Sequence, residues 1–414
     1  MKNSITMNES RFWKTMVVSN GIGTHRETGL KRLAFTEEDK AMRDVFVQWC
    51  REAGCEITID QVGNIFARRE GTVPGSDPVA MGSHLDTQVN GGRYDGILGV
   101  LAGLEVIRTL NDEGIETLRP LEVIVWSNEE GARFVPTMGG SAAFCGNWDL
   151  DFILNAKDDD GITFEQALQS TGYQGSAPLP SRRLDTYLEL HIEQGPILDA
   201  ERKQVGVVVG GYAVRSLVIE VKGETAHVGP TPMDQRRNAI VGAAYVTTAL
   251  NEIGWKYHAE DAKTTTSRIV AFPNKQGIIS EYAEMMVDLR HPTQAGVESM
   301  LAELKQAIGK AQQRAQVSIQ IVKELKYGMD SFDKEVISAV KQSVKKLGYD
   351  SMEIKSQAGH DAYQVALVAP TAMIFTPCDM GYSHNEKEDA TPEQLSPGLN
   401  VLLHSALARA NRPL

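Results

Sequence analysis

The feature that most constrains the fold is an alternation of strand and helix patterns between residues 79 and 128. Two apolar, β-branched runs, VAMGSHL (79–85) and LEVIVWSN (121–128), flank DGILGVLAGLEVIRTL (95–110), whose length and apolar spacing are typical of a helix. A strand, a helix and a strand in this order predict a parallel sheet in an α/β fold. Ligands of open α/β sheets bind where the strands end at their carboxyl side.

A second pattern covers residues 212–325. It begins with strict alternation in VRSLVIEVK (214–222) and continues as helix, two strands, helix and strand, the β-α-β-β-α-β order of the ferredoxin-like split unit. An α/β pattern resumes at KEVISAVKQSVKKLGY (334–349). We therefore predict a larger domain from residues 1–211 and 330–414, with a smaller α+β domain inserted at 212–329. A further strand of the larger domain is predicted over ITIDQVGNIFAR (57–68).

The composition of the chain limits the classes of molecule that the protein is expected to bind. The chain has 414 residues, enough for two hydrophobic cores, and a net charge of −12 from 54 acidic and 42 basic residues. An acidic protein is a poor match for nucleic acid or an anionic membrane, so we expect a small-molecule substrate. The longest apolar stretch, ILGVLAGLEVI (97–107), contains Glu105 and is too short to span a bilayer. Four scattered cysteines predict free thiols and a cytoplasmic location.

Side chains that bind metals or move protons recur after the predicted strands. A lone histidine there is usually structural, and a pair of acids is usually a solvated turn, but recurrence at several strand ends favours a single site. Imidazole and carboxylate ligands suit zinc and related divalent ions, and a pair of ions needs a bridging carboxylate with terminal ligands on each side. A carboxylate that binds no metal can then act as a base toward water. The candidates are His84, Asp86, Asp95, Glu129, Glu130, His191 and His384.

Six motifs, spread over nearly the whole chain, together resemble one enzyme family. They are SHLDTQVNGGRYDGILGV, SNEEGARF, HIEQGP, GETAHVGPTPMDQRRNA, GHDA and GYSHNEKE. The set is similar to the amidohydrolase branch of the dinuclear-metal aminoacylase/carboxypeptidase superfamily, which holds N-carbamoyl-L-amino acid hydrolases, allantoate amidohydrolases and yeast-type β-alanine synthases. The resemblance implies a zinc-peptidase-like α/β catalytic domain with an inserted ferredoxin-like α+β domain for dimerisation or lid closure, and a homodimer formed through that inserted domain.

The resemblance also implies how the candidates hold two divalent ions, for which zinc, manganese, cobalt and nickel are all acceptable and zinc or manganese is favoured. Glu129 would be the general base, and Asp86 would orient His84 by accepting the second N–H of its imidazole. His360 and Asp361 would belong to the architecture of the site without binding metal. The implied ligands are Asp95 as the bridge, His84 and His191 on one ion, and Glu130 and His384 on the other.

Substrate contacts are implied mainly in the inserted domain. Arg290 would hold a substrate carboxylate, Asn274 would support it, and His227 would stabilise the developing oxyanion across the dimer interface. Gln194 would touch the ureido or acyl group. Each residue of the inserted domain also has a purely structural interpretation. Arg290 could form a surface salt bridge, Asn274 could form a turn, and His227 could cap a loop.

The leading hypothesis is hydrolysis of an N-carbamoyl-L-amino acid to the L-amino acid, carbon dioxide and ammonia. His191, where peptidase relatives carry an acid, favours this branch of the family. Allantoate amidohydrolase, β-ureidopropionase and N-acyl-amino acid hydrolase are alternatives within the enzyme class. A metal-free ligand-binding relative is the alternative outside it. The full set of implied ligands together with Glu129 argues against that alternative, because a binding protein needs no base. Glu386 replaces the proline usual in this family after His384, which leaves the shape of that loop open.

Overall fold

The computed structural model describes residues 5–180 and 182–413. The chain divides into two compact units. The smaller unit comprises Gly210–Asp330 and Lys355–Gly359, and the larger unit comprises the residues before, between and after these two segments. The smaller unit thus covers the stretch predicted as an insertion, 212–329. It also includes the short segment Lys355–Gly359, which the sequence pattern does not predict.

The described residues form fourteen strands and twelve α-helices. The strands are β1 (Thr24–His25), β2 (Gly29–Leu30), β3 (Glu56–Ile59), β4 (Ile65–Arg69), β5 (Val79–His84), β6 (Leu121–Trp126), β7 (Thr186–Ile192), β8 (Val205–Gly211), β9 (Ala213–Lys222), β10 (Lys263–Phe272), β11 (Tyr282–His291), β12 (Ser318–Tyr327), β13 (Ser351–Ser356) and β14 (Thr371–Thr376). The helices are α1 (Glu9–Asn20), α2 (Glu37–Glu52), α3 (Ile97–Asp112), α4 (Gly139–Phe144), α5 (Leu150–Leu154), α6 (Phe164–Thr171), α7 (Ile197–Ala200), α8 (Ala239–Lys256), α9 (Gln294–Ala315), α10 (Lys334–Leu347), α11 (Asp361–Val365) and α12 (Pro392–Ala410).

The large sheet of the larger unit has the strand order β13-β8-β14-β7-β5-β6-β4-β3. Its centre is parallel, because β14 pairs with β7, β7 with β5, and β5 with β6 in parallel register. The two runs that predict a parallel sheet are the central strands β5 and β6, and every residue in them is buried. Burial on both faces explains why these strands are mostly apolar instead of alternating between apolar and polar residues. The larger unit therefore has the predicted α/β architecture.

One predicted strand is corrected by the structure. Residues 57–68 form two antiparallel strands, β3 and β4, joined by a tight turn. The Oδ1 atom of Asp60 accepts the backbone N–H groups of Val62 and Asn64 at 3.0 and 2.9 Å, and Gly63 has a φ of +80°. An aspartate that binds the backbone ahead of it and a left-handed glycine reverse the chain. The β-branched residues on both sides hide this turn in the sequence.

A crevice opens between β5 and β7 at their carboxyl ends. The pairing of these two strands ends at Met81 and Leu188. Beyond this point β5 stays paired with β6 as far as His84, and β7 stays paired with β14 as far as Ile192. The chain leaves β5 for β6 on one side and later returns to β7 on the other side. The crevice therefore lies where the strand order reverses, the position where open α/β sheets bind ligands.

Helix α3 begins in this crevice. Its residues from Ile97 to Ile107 are all buried, because α3 contacts β5, β6 and β7 as well as α1 and α12. A Cβ atom built on Gly99 would lie 2.5 Å from the carbonyl oxygen of Leu190 in β7, so only a glycine lets the helix approach the sheet this closely. Apart from Glu105, the stretch 97–107 is apolar on all sides, which is typical of a helix in a protein core. Across the described segments, no helix has the length and apolarity to cross a membrane.

The smaller unit contains a four-stranded sheet in the order β10-β11-β9-β12, with antiparallel neighbours throughout. Alternate residues of β11 are buried, and α8 and α9 pack against that face in one apolar core. The order of elements confirms the predicted β-α-β-β-α-β unit. Strands β10 and β12 form its two edges.

Replacement of Gly99 by alanine should destabilise the larger unit. The added methyl group would lie 2.5 Å from the carbonyl oxygen of Leu190 and 3.1 Å from Cβ of Ser83, and overpacking of this kind costs about 1–3 kcal/mol. Gly309→Ala in α9 is the matched control, because nothing lies within 4 Å of its built Cβ and alanine is favoured over glycine in a helix by about 0.5–1 kcal/mol. Thermal unfolding followed by circular dichroism compares the two variants. Equal stability would contradict the tight packing of α3 in the crevice.

Candidate metal centre

Asp95 lies between two groups of potential metal ligands. Its Oδ1 atom is 3.2 Å from Nε2 of His191 and 3.6 Å from Nε2 of His84. Its Oδ2 atom is 3.3 Å from Nε2 of His384, and the same nitrogen is 3.2 Å from Oε2 of Glu130. The structure thus brings the five predicted ligands together, with one carboxylate shared by both groups.

The ends of the central parallel strands deliver these side chains. His84 is the last residue of β5, and His191 lies one residue before the end of β7. Glu130 follows β6, and His384 follows β14. Asp95 stands two residues before α3, which begins in the crevice between β5 and β7. Parallel strands end at one edge of the sheet, and residues far apart in sequence therefore meet there.

Three of these loops pass through non-glycine residues with left-handed backbone. Asn128 has a φ of +51°, Gln194 of +60° and His384 of +53°. Such conformations are unfavourable for residues other than glycine and cluster in functional loops. The side chain of Asn128 donates to the carbonyl oxygens of Phe134 at 2.8 Å and Pro136 at 3.2 Å, which stabilises the turn after β6.

Backbone carbonyl groups orient two of the imidazoles. Nδ1 of His84 donates to the carbonyl oxygen of Asp86, and Nδ1 of His191 donates to that of Ile192, both at 2.9 Å. A proton on Nδ1 leaves the lone pair on Nε2, which is the atom that faces Asp95 in both residues. Both rings therefore direct toward the shared carboxylate a nitrogen that could bind a metal.

The predicted contact between Asp86 and His84 is corrected by the structure. The carboxylate of Asp86 is 3.9 Å from Nδ1 of His84, too far for a hydrogen bond, and the backbone carbonyl takes its place. The carboxylate instead accepts the backbone N–H groups of Glu129 and Glu130, each at 3.2 Å. Two N–H donors satisfy a buried carboxylate better than a ring nitrogen whose proton is already engaged. Asp86 therefore orients the loop that carries the predicted base.

Charges in the centre shift the pKa values of its groups. Burial lowers the pKa of His191, but the hydrogen bond and charge of Asp95 raise it to about 9. The charge of Glu130 is the main cause that raises the pKa of His384 well above its ordinary value. Burial opposes ionisation of Asp95, yet the two histidines hold the pKa of its carboxyl group well below the usual range. The carboxylates thus favour the protonated form of these two imidazoles.

Glu129 shows the opposite shift for a carboxyl group. It is only 7% exposed, and its Oε2 atom lies 3.6 Å from Nε2 of His84. Burial, followed by the negative charges of Asp361 and Glu130, raises the pKa of Glu129 well above its ordinary value. A buried carboxyl group beside the cluster of potential ligands is a candidate for a general base.

The donor atoms fit a pair of divalent cations. Imidazole nitrogens and carboxylate oxygens suit zinc, manganese, cobalt and nickel. The separations of 3.2–3.6 Å between neighbouring donors are those of two ligands that each lie about 2.0–2.2 Å from one ion. Buried carboxyl groups also need compensating positive charge. The buried carboxyl groups of this region are Asp86, Asp95, Glu129, Glu130, Glu189, Asp361 and Glu388.

Sequence reasoning missed residues that hold the ligands in place. Gln88 donates its backbone N–H and its side-chain amide to the carboxylate of Glu130, at 3.1 and 2.9 Å. Ser383 donates its hydroxyl to Oδ2 of Asp95 at 3.1 Å. Ser383 directly precedes His384 in GYSH, and Gln88 lies four residues after His84 in SHLDTQ; this proximity is the one signal that the sequence carries for them.

Other predicted residues lie against the same centre. The ring of His360 packs edge-on against that of His191, with centroids 4.6 Å apart, and Asp361 is completely buried. The side-chain amide of Gln194 donates to Oδ2 of Asp95 at 2.9 Å. Gln194 therefore contacts the shared carboxylate itself.

Three predicted substrate residues belong to the smaller unit. Arg290, on β11, donates to the carboxylate of Asp288 at 2.9 Å and to the carbonyl oxygen of Gln357 at 2.8 Å. His227 is exposed in the loop after β9, and Asn274 is exposed between β10 and β11. Arg290 thus forms a salt bridge, as the alternative interpretation of this residue predicts, and the salt bridge holds its guanidinium in place.

Comparison with known proteins identifies the family. The chain matches the family described as Peptidase family M20/M25/M40 over residues 80–408. An N-carbamoyl-L-amino-acid amidohydrolase of Rhizobium meliloti is 39% identical, over 98% of this chain and 97% of that protein. A ureidoglycolate hydrolase of Oryza sativa subsp. japonica is 32% identical, over 92% of this chain and 80% of that protein. The crystal structure of a hydantoinase/carbamoylase family amidase from Burkholderia vietnamiensis is 43% identical, with a TM-score of 0.96 over 100% of both chains. The chain is a hydrolase that belongs to Peptidase family M20/M25/M40.

Proposed function

We propose that this hydrolase cleaves the carbamoyl group of N-carbamoyl-L-amino acids and releases the L-amino acid, carbon dioxide and ammonia. The observation that carries the proposal is the shared carboxylate of Asp95, with two imidazoles facing one oxygen and an imidazole and a carboxylate beside the other. A buried carboxyl group, that of Glu129, lies close by. The 39% identical relative whose name states this activity supports the choice of substrate.

The five ligands would hold two divalent ions, which we propose to be zinc or manganese, with cobalt and nickel as alternatives. His84 and His191 would bind one ion, Glu130 and His384 would bind the other, and Asp95 would bind both. When bound, such a pair polarises a carbonyl oxygen and lowers the pKa of water. The backbone hydrogen bonds of His84 and His191 would keep their Nε2 atoms available as ligands.

Glu129 is the proposed general base. Its carboxylate would take a proton from the attacking water and pass that proton to the leaving nitrogen. A raised pKa suits both steps, because the group must accept the proton and also return it. Asp86 holds the backbone N–H of Glu129 at 3.2 Å and so restricts where the carboxylate can point.

The remaining substrate contacts are proposed for Arg290, Asn274, His227 and Gln194. Arg290 would pair with the substrate carboxylate, because a planar guanidinium matches a carboxylate in a bidentate geometry. Asn274 would donate its amide to the same carboxylate, and His227 would stabilise the oxyanion of the tetrahedral intermediate. Gln194 would contact the ureido group. Fixing the carboxylate would restrict the motion of the bound substrate before the reaction.

We also propose a cytoplasmic homodimer formed through the smaller unit. Strand β10 is an edge of its sheet, and an exposed edge strand offers backbone groups for pairing with another chain. Free cysteines are typical of a reducing compartment. A monomeric mass in solution would refute the dimer. Exposed apolar side chains line this region, namely Ile240, Val241 and Trp255 on α8 and Ile269, Val270 and Phe272 on β10.

A second candidate substrate is ureidoglycolate. Relatives from Oryza sativa subsp. japonica and Arabidopsis thaliana, 32% and 30% identical to this chain, are named ureidoglycolate hydrolases. Allantoate, N-carbamoyl-β-alanine and N-acyl-amino acids are further alternatives. All of these carry a carboxylate and a carbonyl carbon bonded to nitrogen, so they can use the same centre and differ in the shape that the pocket must accept.

Ammonia release from a substrate panel tests the proposed function. The panel contains N-carbamoyl-L-amino acids and their D-enantiomers, N-carbamoyl-β-alanine, allantoate and ureidoglycolate, and free amine is measured for N-acetyl-amino acids. We expect turnover of the N-carbamoyl-L-amino acids, with L preferred over D and with activity lost in the presence of a chelator. Turnover of ureidoglycolate alone would move the assignment to the second candidate, and silence across the panel would refute both.

Glu129→Gln should retain both metal ions but lose turnover about 100- to 10,000-fold, the range expected when a general base is removed. The amide keeps the shape of the side chain and cannot accept the proton. Glu113→Gln, at an exposed position just after α3, is the matched control. Steady-state kinetics with metal analysis of the same samples measures both effects. Near-full activity of Glu129→Gln would remove Glu129 from the role of base.

Single-ligand variants should separate the two ions. His191→Ala should lose the ion on the Oδ1 side of Asp95, His384→Ala the ion on the Oδ2 side, and Asp95→Ala should bind both weakly. The unaltered protein should hold two ions per chain. His258→Ala, an exposed residue of the smaller unit, is the control. Elemental analysis after gel filtration gives the ratios, and two retained ions in His191→Ala would contradict the proposed ligand set.

Arg290→Ala should weaken the binding of carboxylate substrates. Loss of a charged hydrogen-bond pair removes about 1.5–3 kcal/mol, a rise in KM of about ten- to a hundredfold. The matched control is Arg268→Ala on β10, whose guanidinium pairs with Glu284 at 2.7 Å in the same sheet. KM values are measured for a carboxylate substrate and for its carboxamide analogue. The KM of the carboxamide should differ little between the variants, because this analogue has no carboxylate for Arg290 to bind. An unchanged KM for the carboxylate substrate would exclude Arg290 from the pocket.

A further inference from the structure

A buried carboxyl group outside the ligand set, that of Glu388, holds the loop that carries Asp95. Its Oε1 atom accepts the backbone N–H of Tyr94 at 2.8 Å and the backbone N–H of Asp95 at 3.0 Å. Glu388 is 0% exposed. Both hydrogen bonds are made to the backbone, so Glu388 acts on the segment from which the shared carboxylate projects.

Gly92 makes room for this carboxyl group. A Cβ atom built on Gly92 would lie 2.0 Å from Cδ of Glu388 and 2.1 and 2.3 Å from its two carboxyl oxygens. Any side chain at position 92 would therefore displace the carboxyl group. The loop before α3 thus forms a cradle for the head group of Glu388, with a glycine on one side and two N–H donors on the other.

The same loop that contains Glu388 also supplies a ligand. His384, four residues earlier, faces Oδ2 of Asp95 at 3.3 Å, and Ser383 donates to the same oxygen at 3.1 Å. The segment 383–388 therefore contacts both the carboxylate of Asp95 and the backbone behind it. A displacement between the two loops would alter both contacts together.

The shared carboxylate has little freedom to rotate. Its Oδ1 atom faces His191 at 3.2 Å, and its Oδ2 atom faces His384 at 3.3 Å. A shift of the backbone at Asp95 would bring one carboxylate oxygen closer to the histidine that it faces and would move the other oxygen away from its histidine.

We propose that Glu388 is a positioning residue for the metal centre, which holds the bridging carboxylate between its two ligand groups by fixing the N–H groups of Tyr94 and Asp95. This role rests on the proposed pair of ions and does not depend on the identity of the substrate. Glutamine in place of a glutamate keeps an acceptor oxygen but removes the charge. Comparing Glu388→Gln with Glu388→Ala therefore separates the effect of the hydrogen bonds from the effect of the charge.

Glu388→Ala should lower the affinity for metal about tenfold to a hundredfold, as residues that orient metal ligands do when they are removed. Glu388→Gln keeps an oxygen that can accept both N–H groups and should bind metal nearly as well as the unaltered protein. Glu393→Gln, an exposed acid in the first turn of α12, is the matched control. Titration of the metal-free full-length protein with zinc or manganese against a competing fluorescent chelator gives the affinities.

Magnetic coupling reports the bridge itself. In the electron paramagnetic resonance spectrum of the manganese-loaded protein, two ions that share a carboxylate are coupled, and we expect Glu388→Ala to lose this coupling while Glu388→Gln retains it. Unchanged affinity and coupling in Glu388→Ala would overturn the positioning role even if ammonia release stands, and so would a loss of thermal stability without a change in affinity. Absence of any ion pair in the unaltered protein would overturn the metal centre as well. If Glu388→Ala does not fold, the shorter Glu388→Asp replaces it in the comparison with Glu388→Gln.

Discussion

The candidate metal centre depends on one carboxylate that faces two groups of potential ligands at once. Asp95 directs Oδ1 toward His84 and His191 and Oδ2 toward His384. It can do so because the loop before α3 enters a crevice that exists only where β5 and β7 stop pairing, after Met81. Strand pairing, helix packing and the chemistry of the centre therefore meet at a single side chain.

Charge explains the surroundings of this carboxylate. Several carboxyl groups are buried together, and burial of unpaired negative charge is costly. The negative charges of Asp95 and Glu130 raise the pKa values of His191 and His384 and so favour positive charge at this position. A proton on Nε2 would prevent metal binding by that nitrogen, so the proposed cations would bind rings that are unprotonated there. The same cations would compensate the charges of Asp95 and Glu130.

Features with a local pattern could be predicted from the sequence. Strands β5 and β6 are mostly apolar runs, and His84 and Glu130 stand at or just after their ends, so both the fold class and most candidate ligands follow from short segments. The turn at Asp60 could not be predicted from periodicity, because it lies inside a β-branched run.

Features that depend on tertiary packing had no such pattern. The hydrogen bond from Glu129 to Asp86 joins residues 43 positions apart, and that from Asp95 to Glu388 joins residues 293 positions apart. Which N–H group meets which carboxylate is decided by how the loops pack, and this explains why Asp86 has a different partner from the one expected and why Glu388 was missed.

The central claim is that Asp95 bridges two metal ions. Anomalous diffraction from crystals grown with manganese or zinc, measured at the absorption edge of the metal, locates the ions directly. We predict two peaks about 3.5–4 Å apart, one beside His84 and His191 and one beside Glu130 and His384, with the carboxylate of Asp95 between them. A single peak, or two peaks that do not share Asp95, would contradict the claim.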